Sequence, residues 1–321
     1  MILALITHDR GAIEETCLQA LALARSLAED LGAPLHAAWI GDQPPVEALA
    51  GDGVAVIHHV DHDGLDDYSP SAWGSAVVDL VASLEPAAVV AIGSDRGNEV
   101  MAHVGALTGL PMVANARVVT TGDIWTIVRT RWGGSLLEET SLESPTKLLT
   151  VTEHAVEARP AATASAPEIV VFEPALTEED LVTKVVDRVV TTEGITLATA
   201  PVVVSGGRGV GGADGFAPLE ELAVLLGGVV GCSRVVTNNG WRPHSDQVGQ
   251  TGTVVAPDVY IACGISGAIQ HWVGMMASKS IIAINTDAEA PMVTKADYAV
   301  VGDLQEVVPA IVEELKSRQG G

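Results

Sequence analysis

Val259-Tyr260-Ile261-Ala262-Cys263 is an unbroken apolar run, followed at once by Gly264-Ile265-Ser266-Gly267 and a helical pattern from Ala268. A short run without alternation has to be covered on both faces, so it reads as a buried strand of a parallel sheet. A strand that feeds a helix through a turn of small residues is the repeating unit of doubly wound α/β folds. The first N–H groups of such a helix lack internal partners, and its dipole favours negative charge, so the turn is a place for an anion. Glycine there lets a phosphate reach the backbone without meeting a Cβ. Just upstream lies a polar glycine loop, Gln247-Val248-Gly249-Gln250-Thr251-Gly252. The stretch from Gln247 to His271 is therefore the expected centre of the molecule.

The rest of the chain repeats the same rhythm. Strands are expected at 1–7, 35–40, 54–60 and 87–92, and helices at 14–31, 69–84 and 98–107, with Ser69 as N-cap and Pro70 at the first helical position. Between Arg117 and Thr152, β-rich runs alternate with turn signals at Gly122-Asp123 and Gly133-Gly134, which suits strands added antiparallel to a sheet edge. A strand at 169–172 follows, and 180–190 reads as strand and linker. The rhythm then restarts, with strands at 201–205, 229–232, 259–263, 280–284 and 298–301 and helices at 218–226, 268–277 and 304–315. The expectation is two doubly wound α/β domains, 1–190 and 191–321. The first is a Rossmann-like sheet with added antiparallel strands, and the second is a parallel sheet. Hydrophobic residues make up 48% of the chain but aromatic ones only 3%, so both cores must be built from Ala, Val, Leu and Ile.

The formal charge of −24 disfavours non-specific binding to nucleic acid. Such acidity suits plain solubility, a salt-rich cytoplasm or a surface for basic partners. Three unevenly spaced cysteines without a CxxC argue against a disulfide framework or a zinc site, and Cys263 reads as a small core residue. The amino terminus lacks a basic region and a long apolar run, and no stretch reaches the ~18 apolar residues of a membrane span. A soluble cytoplasmic protein is expected. His58-His59-Val60-Asp61-His62-Asp63 has the composition of a metal cluster, but it follows a strand with no matching ligands nearby, so a solvated loop and no metal are expected. His8-Asp9, at the end of the first strand, is left without a role. Gly207-Arg208-Gly209-Val210-Gly211-Gly212 fits G-x-G-x-x-G after a strand, yet no acid stands about 20 residues on to hold a nicotinamide ribose. No serine–histidine–aspartate arrangement and no Walker A lysine is found.

Six segments together resemble the C-terminal domain of the alpha subunit of electron transfer flavoproteins. They are Ser-Gly-Gly-Arg-Gly at 205–209, Ser-Arg at 233–234, the loop at 247–252, Gly-Ile-Ser-Gly-Ala-Ile-Gln-His at 264–271, Ala-Ile-Asn-Thr-Asp at 283–287 and Val-Gly-Asp-Leu at 301–304. The likeness is close over about the last 120 residues. The first half matches mainly in its pattern of strands and helices.

The resemblance implies one FAD in the second domain. It places Arg208 beside the cofactor, Ser233 in contact with it and Arg234 over the flavin ring. Gln247, Val248, Gly249, Gln250 and Thr251 correspond to the flavin loop. Gly264 and Ser266, Gly267, Ala268, Ile269, Gln270 and His271 hold the ribityl chain, pyrophosphate and ring edge, with His271 near the pyrimidine carbonyl. Asn285, Asp303 and Leu304 fall near the adenosine half. Arg234, Thr251 and His271 tune the redox potential, and no residue is catalytic. Trp241, Arg242 and His244 depart from the usual pattern at the flavin's edge. The resemblance further implies a heterodimer with a beta subunit holding AMP or a second FAD. Electrons would come from flavin dehydrogenases such as acyl-CoA dehydrogenases of fatty acid oxidation and leave to a membrane quinone reductase. An NADH-linked electron-bifurcating complex, a nicotinamide-dependent dehydrogenase and a nucleotide-binding regulatory module are the alternatives.

Overall fold

The apolar start of the chain, Ile2–Leu5, forms β1, fully buried in the middle of a sheet. A computed structural model of the chain describes residues 1–185 and 195–319. By internal contacts these fall into two units, one of residues 1–131 and 136–185, the other of residues 132–135 and 195–319. The boundary expected at 190/191 lies outside the described residues.

In the first unit β1 is followed by a small antiparallel hairpin, β2 (His8–Asp9) and β3 (Ala12–Ile13). Then come α1 (Cys17–Asp30), β4 (Leu35–Ile40), α2 (Val46–Gly51), β5 (Val56–Val60), α3 (Pro70–Leu84), β6 (Ala88–Ile92) and α4 (Asp95–Thr108). Helices α3 and α4 start where a serine side chain caps them. Ser69 Oγ accepts from Ala72 N, and Ser94 Oγ from Gly97 N. Helix α4 ends at Gly109, whose φ of 70° suits a residue without a Cβ. Helix α1 begins three residues later than its apolar pattern does, because Glu14 is used otherwise. Its carboxylate accepts from the hydroxyls of Thr7 and Ser94.

Next are β7 (Met112–Thr120), β8 (Trp125–Arg131), β9 (Leu136–Leu142), β10 (Lys147–Val151) and β11 (Glu168–Phe172). The sheet order is β11-β5-β4-β1-β6-β10-β7-β8-β9. Only β8 runs against its neighbours. The expectation of antiparallel edge strands thus holds for the β7–β8–β9 edge, but β10 crosses back to lie parallel between β6 and β7. Apolar cores cover both faces, one under α1 and the other under α3 and α4.

His58 and His59 are strand residues and not part of a solvated loop. Both are buried. His58 Nε2 lies 2.9 Å from His36 Nδ1, and His59 Nε2 donates to the Gly41 carbonyl. Among the described residues no group of three or more His, Cys, Asp or Glu is placed to hold a metal ion. His8 is buried too. It stacks on Trp39 at 4.0 Å, donates from Nε2 to Ile40 O and accepts at Nδ1 from Gly11 N. Residues 180–185 form no strand, and the rest of the segment expected as strand and linker, 186–190, lies outside the described residues.

The second unit holds β12 (Val202–Gly206), α5 (Ala217–Leu225), β13 (Val229–Cys232), α6 (Arg234–Asn238), β14 (Val259–Cys263), α7 (Ile269–Trp272), β15 (Ser280–Asn285), α8 (Pro291–Lys295), β16 (Tyr298–Val301) and α9 (Leu304–Gln319). All five strands are parallel, in the order β13-β12-β14-β15-β16. Helices α5 and α9 cover one face, and the loop around Val248 and Val255 covers the other. No helix among the described residues is long and apolar enough to cross a membrane.

Candidate functional site

The strand order of the second unit reverses direction at β12. The next strand in sequence lies to one side of it and the one after that to the other. Open α/β sheets bind ligands in the crevice outside the carboxyl ends of the strands at such a point. A cavity of about 620 Å3 opens there, lined by residues that follow all five strands. Arg208 and Gly209 follow β12; Ser233, Arg234 and Val235 follow β13. Gly264, Ile265, Ser266, Ala268, Gln270 and His271 follow β14. Asn285 ends β15 and Thr286, Asp287 and Ala290 follow it, and Gly302, Asp303 and Leu304 follow β16.

The charges of the lining are ordered along the sheet. The two cations, Arg208 and Arg234, stand on the loops of β12 and β13. The two carboxylates, Asp287 and Asp303, stand on the loops of β15 and β16. The neutral turn of β14 lies between them. Neither arginine forms an ion pair among the described residues, and both are exposed.

The floor of the cavity is backbone laid on backbone. Gly207 N donates to Cys263 O at 2.8 Å and Gly209 N to Gly264 O at 3.1 Å. A Cβ on Gly207 would stand 2.3 Å from Gly264 O, and one on Gly209 would stand 2.8 Å from Gly264 Cα. Asn285 ties the turn to β15 by donating from Nδ2 to Ile265 O at 2.9 Å. Two buried polar atoms of the lining residues have no partner, Ser233 Oγ and His271 Nδ1. Polar groups buried without partners are costly unless something else satisfies them. A polar ligand with negative charge toward the arginines and hydroxyls toward the carboxylates fits this lining.

The structure corrects several sequence expectations. The helix after β14 has four residues instead of ten, so a helix dipole contributes little and the anion-attracting part of the turn is its N–H groups and the nearby arginines. The doubt about the G-x-G-x-x-G segment as a dinucleotide fingerprint, in contrast, agrees with the structure. A Cβ on its third glycine, Gly212, would meet nothing within 4 Å, and α5 begins only at Ala217. In the fingerprint the third glycine allows close helix–strand packing. Gln247, Val248, Gly249, Gln250, Thr251, Gly267 and Ile269 do not line the cavity. Gln247 and Val248 are buried, and the loop supports the lining from behind through Gln250 N, which donates to Gln270 O at 2.7 Å. Trp241, Arg242 and His244 do not line it either. Arg242 is held by Glu220 and by Asp246 at 2.7 Å, and its guanidinium lies over Phe216.

Two family models match the chain. One described as the electron transfer flavoprotein domain covers residues 2–177, and one described as the electron transfer flavoprotein FAD-binding domain covers residues 196–276. The electron transfer flavoprotein subunit alpha of Mycobacterium leprae is 38% identical, with 99% of each chain covered. The chain belongs to the electron transfer flavoprotein alpha-subunit family. The subunit alpha of Bacillus subtilis is 34% identical over 95% of this chain and 94% of its own, and protein FixB of Clostridium saccharobutylicum is 34% identical over 95% and 93%.

For a member of this family several cavity residues were not singled out from sequence: Gly209, Val235, Ile265, Thr286, Asp287, Ala290 and Gly302. All but Ala290 lie within two residues of ones that were. Their signal was position after a parallel strand, which marks the ligand end of such a sheet irrespective of residue type. Cys263 is a core residue, as its apolar run suggested; burial pushes its thiol up to about 12.

The loop at 247–251 invites a first test. Thr251 Oγ1 accepts from Gln247 Nε2 at 2.9 Å, while Gln247 Oε1 accepts from Thr237 Oγ1 at 2.7 Å. Gln247 is 2% exposed, so Thr251→Ala leaves a buried amide donor unpaired. Unfolding in urea should show a loss of about 1–2 kcal/mol. An unchanged midpoint would mean that the amide is already served by water.

Proposed function

We propose that the cavity of the second unit holds one FAD, and that the chain is the alpha subunit of a heterodimeric electron carrier. The ordered charge of the lining carries the reading. Arg208 and Arg234 at one end suit a ring that gains negative charge on reduction and the phosphates next to it. The N–H groups of Ile265 and Ser266 suit the pyrophosphate; that of Gly264 is already given to Ile284 O at 2.9 Å. Asp287 and Asp303 at the other end suit the hydroxyls of the adenosine ribose. Ser233 Oγ and His271 Nδ1 are the unpaired polar atoms such a ligand would satisfy. When bound, the flavin supplies one- and two-electron chemistry; the protein positions it, shields it and sets its potential. A beta subunit completes the carrier and holds AMP or a second FAD. Flavin dehydrogenases such as acyl-CoA dehydrogenases donate the electrons, and a membrane quinone reductase accepts them.

The test is the absorption spectrum of the chain purified after co-expression with a beta subunit. A yellow one-to-one complex releasing one FAD per second unit is expected, and a colourless complex that takes up no FAD overturns the reading.

Arg234 gives the same proposal a sharper test. A partly exposed guanidinium facing the reducible ring contributes about 1–2 kcal/mol after screening. For one electron that is on the order of 40–90 mV. Arg234→Ala should lower the first reduction potential by this amount, with Arg234→Lys in between, because an ammonium lacks the planar fork. A potentiometric titration of the alanine variant that overlays wild type places Arg234 away from the ring.

A further inference from the structure

Tyr260 is the largest polar side chain buried in the second unit. It sits on β14 at 0% exposure, and its hydroxyl lies 2.9 Å from Nε2 of His271, a residue of the cavity wall. The ring of His271 is itself 6% exposed. Burial pushes its pKa down to about 4, with the Val248 backbone opposing, so the imidazole is neutral at physiological pH. A neutral imidazole carries one proton, on one nitrogen or the other.

The surroundings choose between the two. If Nε2 carried the proton and donated to Tyr260, the phenol's own proton would need another acceptor. The nearest candidate is Ser205 Oγ, two residues along the neighbouring strand on the same face of the sheet; it acts on the phenol but lacks hydrogen-bond geometry to it. The phenol cannot shed that proton either, because burial raises its pKa far above the ordinary range, with the Ser205 hydroxyl opposing. If instead Tyr260 donates to Nε2, the phenol proton is used. The proton of His271 then lies on Nδ1, which has no partner in hydrogen-bond geometry but has the Val248 backbone as an acceptor close enough to favour a proton there. The second arrangement strands one donor, at the wall of a ligand cavity. The first strands a donor and an acceptor in the core.

We propose that Tyr260 is a positioning residue: its O–H fixes His271 as the neutral tautomer with the proton on Nδ1, so that the β14 side of the cavity presents a neutral hydrogen-bond donor and not a cation. The flavin as the group that meets this donor rests on the function proposed above; the tautomer does not. With a neutral His271 the arginines after β12 and β13 are the only cations lining the cavity.

The experiment is a long-range 1H–15N correlation spectrum of the full chain labelled with 15N-histidine. Its nine histidines allow His271 to be assigned by its absence in His271→Gln. The wild-type spectrum should show a protonated Nδ1 and a bare Nε2 at neutral pH, before and after loading with FAD. Tyr260→Phe should abolish the preference, giving a tautomer mixture, and should weaken FAD binding about twofold, since roughly half of the molecules then carry the competent tautomer. A wild-type Nε2–H tautomer overturns the proposal whether or not the variant folds. So does a Tyr260→Phe protein that keeps a fixed Nδ1–H. A chain with the expected tautomer that takes up no FAD leaves the positioning role standing and removes the flavin reading alone.

Discussion

Gly207→Ala is expected to destabilise the second unit by about 3 kcal/mol and to abolish FAD binding. The methyl group would stand 2.3 Å from Gly264 O and 2.8 Å from Ile265 Cα, both backbone atoms that cannot swing away as a side chain can. Room could come only from parting the loop after β12 from the turn after β14. That would break the bonds from Gly207 N to Cys263 O and from Gly209 N to Gly264 O. Overpacking of this kind costs about 1–3 kcal/mol, and the rigid neighbours put it at the upper end. Both segments carry cavity residues, so the same displacement spoils the binding site.

Two neighbours serve as controls. A Cβ on Gly212 meets nothing, so Gly212→Ala should change stability by less than about 0.5 kcal/mol. Gly211 also faces open space, but its φ of 87° is left-handed, so Gly211→Ala should cost about 1 kcal/mol from the backbone alone. Urea unfolding with bound FAD measured on the same samples separates the three. A Gly207→Ala chain as stable as Gly212→Ala would show that the two loops part easily and do not fix the cavity floor.

That graded series shows what the sequence could and could not tell. The spacing of glycines in 207–212 was visible, but which of them another backbone presses on was not, because the pressing atoms lie more than fifty residues away. The same division runs through the fold. Local signals placed most strands within two residues and capped α3 at Ser69, since caps and apolar periodicity are written in neighbouring residues. Long-range pairing was hidden. Nothing near Lys147 says that β10 inserts between β6 and β7. The apolar pattern after Ala268 runs on to Ala277, yet α7 stops at Trp272. There Gly274 lies against Gly249, so close that a Cβ would meet Gly249 Cα at 2.3 Å, and its carbonyl accepts from Val255 N. Tertiary contact overrides helical periodicity at that point. For the site, resemblance picked out eleven residues that now line one cavity, Arg208, Ser233 and Arg234 among them, but it also drew in Val248 and Gln247, which are buried behind it. A loop that shapes a site and a loop that lines it read alike in one dimension.

The buried histidines make the protein sensitive to acid well above the range where its carboxylates protonate. His58 is pushed down to about 4 by burial and by its neighbour His36, and His36 is itself lowered by burial and by the amino terminus. The geometry gives an independent reason. At 2.9 Å, His36 Nδ1 and His58 Nε2 share one proton as donor and acceptor, and a second proton would set N–H against N–H. His8, with Nε2 donating to Ile40 O and Nδ1 accepting from Gly11 N, has no room for another proton, and burial lowers it as well. Burial also lowers His154. In the unfolded chain all four titrate near 6.5. The folded state therefore binds fewer protons than the unfolded state below that pH, and stability falls as pH falls. For His58 the loss accrues from pH ~6.5 down to ~4 and reaches at most about 3 kcal/mol. Asp52 and Glu153 work in the opposite sense, since burial raises both and they take up protons more readily when folded. The large downward shift of His58, with three further histidines in the same sense, leaves the first unit less stable at pH ~4.5 than at pH ~7. The second unit, where burial holds His271 alone at about 4, should fall by less. Thermal unfolding followed across this range, with unit-specific hydrogen exchange to tell the two apart, measures the difference. His58→Gln keeps a group that can pair with His36 and removes the proton, so its first unit should show a shallower slope. If wild-type stability is level from pH ~7 to ~4.5, or the glutamine variant is just as steep, the buried histidines do not govern the acid response.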